Sequence, residues 1–167
     1  LASRLVQTRP EKDQEVIVVK RTAIRSATLA AFAGLALAAP AGAAAKGPAI
    51  VKVSGSSLGK ILVNGSGRTL YMFTRDGRGK DRCVTIQGCT SLWPPLTTKG
   101  KPVARSGAKT SLLGTIKLPG GSLQVTYAGH PLYTYSGDVM PHETDYVGAP
   151  QFGGTWYAVS STGGKVK

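Results

Sequence analysis

Tyr71, Phe73 and Asp76 recur 62 positions later as Tyr133, Tyr135 and Asp138. Side chains alternate along a strand, so rings two residues apart share a face. Tyr71 and Phe73 would face one way, with Leu70 and Met72 on the other side. Tyr133 and Tyr135 would likewise oppose Leu132. Paired rings could offer a platform to a sugar or another flat ligand, or they could pack a core or a sheet face. We read packing as their role, because a pattern that defines a repeat specifies its fold. Asp76 and Asp138 fall at or beyond the strand ends, where a carboxylate accepts turn N–H groups.

Cys83 and Cys89 enclose five residues. In an oxidising compartment such a pair is expected to form a disulfide. The short loop would stabilise by about 2–3 kcal/mol in the chain-entropy model. A redox-active dithiol is the rival reading, but thioredoxin-like motifs enclose two residues. Met140 and His142 stand near Asp138, Glu143 and Asp145, and these side-chain types suit copper or zinc. His130 follows Gly129 in a turn and is expected to be exposed. Two histidines without an i, i+4 pair make a poor ligand set, so no metal or other cofactor is expected.

The chain has no nucleophile elbow and no P-loop. The carboxylates after residue 46 are Asp76, Asp81, Asp138, Glu143 and Asp145, and their spacing marks no acid–base pair. The expectation is a non-enzymatic binding protein. A redox or metal-handling envelope protein and a small secreted hydrolase are the alternatives.

The paired Tyr-x-(Phe/Tyr)-x-x-Asp copies are accompanied by the cysteine pair and Trp93-Pro94-Pro95. Together they resemble a bacterial secreted-repeat family with the motif Tyr-x-(Phe/Trp/Tyr)-x-x-Asp. Leu112-Leu113-Gly114-Thr115-Ile116, Val125-Thr126-Tyr127 and Gly153-Gly154-Thr155-Trp156-Tyr157 extend the likeness, which covers residues 57 to 160. Many members of that family are lipoproteins. This sequence departs from them, since no Cys follows its apolar leader run. The resemblance implies a place outside the cell and carries no settled activity.

The chain has 167 residues with 21 Lys and Arg against 8 Asp and Glu, a net charge of +13. Its 41% hydrophobic content is enough for a core, while 22 glycines favour short strands and tight turns. The charge is uneven. Residues 46–117 hold thirteen bases against Asp76 and Asp81, and residues 118–167 hold Lys165 and Lys167 against three acids. Lys99, Lys101, Arg105 and Lys109 lie in a Gly- and Pro-interrupted stretch that reads as an exposed loop. Such a field should draw polyanions, such as anionic cell-wall polymers or lipid head groups. No motif for specific nucleic-acid binding is present.

The elements that must position these residues are short. Ile61-Leu62-Val63, Asn64-Gly65-Ser66-Gly67 and Thr69 to Phe73 read as a hairpin turned by Asn and Gly, which accept positive φ. Leu123 to Tyr127, Ala128-Gly129 and Pro131 to Tyr135 read as a second hairpin with a tighter turn. No segment after residue 46 keeps a helical period. The expected fold is mostly β. Repeat 1 (about 57–96) and repeat 2 (about 121–159) would pack as a small antiparallel sheet or sandwich, within a secreted unit of residues 46–167.

Ahead of that unit, Lys20, Arg21 and Arg25 precede the apolar run Ala27 to Ala39 and the small residues Ala43-Ala44-Ala45. This is the tripartite pattern of a signal peptide, here residues 19–45, forming an N-terminal signal helix. The run is too short for a span of roughly 20 residues, so no membrane span remains after its removal. Residues 1–18 read as a start-site misassignment, with translation from Val18 or Val19, or as an extended n-region.

Overall fold

The computed structural model describes residues 47–167. The expected signal peptide, its cleavage site and residues 1–18 lie outside the described residues.

The described chain holds eleven short strands, one short α-helix and two 3-10 turns at Cys83–Thr85 and Thr110–Leu112. In order the strands and helix are β1 (Ile50–Ser56), β2 (Gly59–Asn64), β3 (Tyr71–Phe73), α1 (Cys89–Leu92), β4 (Thr97–Thr98) and β5 (Val103–Arg105). These are followed by β6 (Leu113–Lys117), β7 (Leu123–Tyr127), β8 (His130–Pro131), β9 (Pro150–Gln151), β10 (Gly154–Val159) and β11 (Lys165–Val166). The fold is mostly β, built of small, largely antiparallel sheets. One runs β2-β1-β5, one β11-β10-β3 with β9 beside β10, and one β4-β7-β6 with β8 beside β7. The pairing of β1 with β5 is parallel. No helix among the described residues is long and apolar enough to cross a membrane.

The first expected hairpin is reduced to a single bridge, Val63 opposite Thr69, because β2 pairs with β1 and β3 with β10 in separate sheets. Its turn also differs from the Asn-Gly expectation. Neither Asn64 nor Gly65 has positive φ, and Gly67 supplies it at +90°. Asn64 acts through its side chain, whose Oδ1 accepts the backbone N–H groups of Ser66 and Arg68, each at 3.0 Å. That carboxamide organises a longer loop than the two-residue turn the dipeptide suggests. The second hairpin has the tight turn expected, but its return strand is only β8, His130–Pro131, rather than Pro131 to Tyr135. Ala128 at φ +49° and Gly129 at +81° lie between Tyr127 and His130, which face each other across the strands. Two left-handed residues match the twist of a two-residue hairpin.

The repeats are joined by exchanged strands. β3 of the first repeat pairs with β10 of the second, with Trp156 opposite Phe73 and Ala158 opposite Tyr71. The reverse exchange places Pro95 opposite Tyr133, and the Thr134 N–H donates to the Pro94 carbonyl at 3.0 Å. Pro94 and Pro95 fit there because a proline needs no donor on its unpaired side. The two motifs themselves meet at the centre, where β3 and the extended segment after β8 form an isolated bridge. Tyr71 and Tyr133 exchange backbone bonds of 2.9 and 3.0 Å.

Alternation then divides the core in two. Leu70, Met72 and Leu132 join Val51, Leu62, Val125, Tyr127 and Val159 in an aliphatic cluster. Tyr71, Phe73, Tyr133 and Tyr135 join Trp93, Trp156 and both cysteines in an aromatic one.

Candidate functional site

The motif residues meet in the aromatic half of the core. Tyr71 and Tyr133 are fully buried, Phe73 is 1% exposed and Tyr135 7%. Their hydroxyls and carboxylates pair across the repeats. The Tyr71 hydroxyl donates to Asp138 Oδ2 at 3.1 Å, and the Tyr133 hydroxyl donates to Asp76 Oδ2 at 2.8 Å. Each repeat thus holds the other's carboxylate. Asp76 also caps a turn in its own repeat, accepting the Arg82 N–H at Oδ1 over 2.7 Å.

Burial sets the electrostatics of these pairs. It pushes Asp76 up to about 6, against the Arg82 N–H and the Tyr133 hydroxyl, which favour the anion. It pushes Asp138 to about 6 as well, opposed first by the Tyr71 hydroxyl. Burial and the facing carboxylates raise both tyrosines well above their ordinary value, so they remain donors.

The tryptophans complete the arrangement. Trp93 and Trp156 stack face to face with centroids 3.9 Å apart and 1° between planes. Phe73 stacks on Trp156 at 4.2 Å, and Tyr135 leans on Trp93 at 4.5 Å. Tyr71 meets Trp93 edge-on and Tyr133 meets Trp156 edge-on, both at 5.1 Å. Such contacts stabilise by about 0.5–1.5 kcal/mol each beyond area burial. The motif rings are buried and face one another, so Tyr71, Phe73, Tyr133 and Tyr135 form no open platform for a flat ligand. The symmetry breaks at the indole nitrogens. Trp93 Nε1 donates to Gln151 Oε1 at 2.7 Å, whereas the buried Trp156 Nε1 has no partner among the described residues.

Cys83 and Cys89 form a disulfide, with both residues fully buried beside the Trp cluster. The structure does not gather Met140 and His142 into a ligand set. Met140 is 62% exposed, and His142 Nε2 lies 3.0 Å from Ser54 Oγ. Among the described residues, no group of three or more His, Cys, Asp and Glu side chains could hold a metal ion. His130 is not the exposed turn residue expected. It is half-buried in β8, where burial first, then Arg78 and Lys165, lowers its pKa.

Lys99, Lys101, Arg105 and Lys109 are all exposed. Their segment is more ordered than a plain loop, since Arg105 closes β5 and the Lys109 N–H donates to the Tyr127 hydroxyl at 2.8 Å. Sequence reasoning passed over Arg68. Its guanidinium donates to the backbone carbonyls of Tyr135 and Asp138, tying the first repeat's loop to the second repeat's motif. No spacing signal marks it, because its partners are main-chain atoms 67 and 70 residues away.

Two segments of the chain, residues 52–97 and 114–160, match the family described as a secreted repeat of unknown function. No curated protein matches the chain, and no solved structure does. The matched segments begin within β1 and β6, and each runs through a motif to the stretch that pairs with the other repeat. The family's description agrees with an extracellular location. Matched over more than half its length in two copies, this chain belongs to the family of secreted repeats of unknown function.

Proposed function

We propose that this secreted protein binds anionic polymers of the cell envelope without chemistry of its own, through the basic surface of residues 46–117. The supporting observation is the opposite placement of its charges. Lys80, Arg82, Lys99, Lys101, Arg105, Lys109 and Lys117 are exposed, whereas Asp138 is 1% exposed and Asp76 turns inward to Tyr133. With these two carboxylates turned inward, only Asp81, Glu143 and Asp145 stand nearer the surface among the described acids, against many exposed bases. Long cationic side chains held in water can meet phosphate or carboxylate groups without a desolvation cost.

The test is retention of the protein on heparin or isolated teichoic acid across a salt gradient. Counterion release predicts retention at low salt that falls steeply between roughly 50 and 200 mM. Changing Lys99, Lys101, Arg105 and Lys109 together to Gln should flatten that dependence and leave the melting temperature within a few degrees, since exposed substitutions shift stability little. Equal elution of parent and variant, or no retention of the parent at low salt, would refute the reading.

A further inference from the structure

We propose that the outer edge of β6 is a docking site for an extended, acidic polypeptide segment, taken up as an added strand. β1 and β6 hold equivalent places. Each pairs antiparallel with the strand that follows it, β2 or β7, and the two family matches begin 62 residues apart. The far side of β1 is covered by β5, with Ile50 opposite Val103 and Lys52 opposite Arg105. β6 has no such cover among the described residues and ends its sheet.

The register shows which backbone groups are open. The Leu118 N–H donates to the Ser122 carbonyl, and the Ala128 N–H donates to the Leu112 carbonyl. Residues 112, 114, 116 and 118 therefore face β7, because bonded and non-bonded pairs alternate along an antiparallel ladder. Thr115 and Lys117 turn their N–H and C=O groups outward. Outward groups of this kind are a template for another strand.

Two grooves accompany β6 along its length. One of about 530 Å³ is lined by Lys101, Pro102, Thr110, Leu113, Thr115 and Leu123, among others. The other, about 310 Å³, is lined by Lys80, Arg82, Ile116, Lys117 and Leu118, together with Asp81. Four exposed cations against one carboxylate favour an acidic occupant. A second copy of this chain, with its net charge of +13, would bring like charge to the edge. Lys117, on the strand itself, opposes a basic strand and admits an acidic one.

The test uses NMR-detected amide exchange of the protein with a synthetic peptide of alternating Glu and Val. The peptide has seven residues, the length of β1. A control peptide alternates Lys and Val. The acidic peptide should slow exchange at Thr115 and Lys117, and the control should not. Thr115→Pro removes an outward N–H and no ladder bond, so it should melt with the parent and lose the slowing. If that variant does not fold, the triple reversal Lys80→Glu, Arg82→Glu, Lys117→Glu replaces it, with the same loss expected. Slowing at no amide, slowing confined to amides elsewhere, or slowing undiminished in the folded variant would overturn the proposal.

Discussion

Tyr71 and Tyr133 each present a hydroxyl to a carboxylate that belongs to the other repeat. Tyr71→Phe and Tyr133→Phe keep the ring and remove only the donor. Each should cost about 1–3 kcal/mol, because a buried carboxylate loses a partner. Thermal unfolding reads the loss, and the same variants should keep their retention on heparin. The carboxylates also set a pH dependence. Asp76 and Asp138 rise from 3.8 to about 6 in the folded protein, so the folded state holds more protons than the unfolded one between those values. The stability these groups contribute is fully present below about 4 and is lost as pH rises through about 6. His130, whose lowered pKa works the other way, opposes two carboxylates, so melting temperature should climb as pH falls from 7 to 5, and a decline over that interval would contradict the burial argument. The turn-capping reading holds at Asp76, which accepts the Arg82 N–H, and not at Asp138, whose carboxylate accepts, among the described residues, only the Tyr71 hydroxyl. The tyrosine partners were not legible in the sequence, because spacing within one repeat says nothing of a bond made to the other.

Among the elements, the first motif strand, β3, and the alternation of both motifs were readable from residue types alone, while the second motif extends past β8 without forming a strand. Tyr71 and Phe73 enter the aromatic cluster while Leu70 and Met72 enter the aliphatic one, as period two requires. The first hairpin turn was misread, since Asn64 works by its carboxamide and Gly67 carries the left-handed conformation. Glycine positions near the rings give this scale its prediction. A Cβ on Gly137 would strike the Tyr135 ring, and one on Gly154 would come within 2.5 Å of Phe73 Cε2. Gly137→Ala and Gly154→Ala should each lower stability by about 1–3 kcal/mol through overpacking. Gly55, on β1, has no positive φ, and a methyl group there would meet nothing within 4 Å, so Gly55→Ala should melt with the parent. Equal melting temperatures for all three variants would contradict the packing described.

At the scale of the whole molecule, duplication was legible in the 62-residue offset, but strand exchange was not. Two similar units can sit side by side or complete each other, and the sequence pattern is the same in both cases. Here β10 pairs with β3, Pro95 bridges to Tyr133, and the Trp93–Trp156 stack unites the aromatic core. Neither repeat holds a full set of partners for its own motif. The most direct test is to produce residues 47–112 and 113–167 separately and follow far-UV circular dichroism on heating, alone and mixed. Exchange predicts no cooperative melt from either half and a cooperative melt from the equimolar mixture. A sigmoidal melt from one half alone would contradict the claim that the two repeats complete one fold.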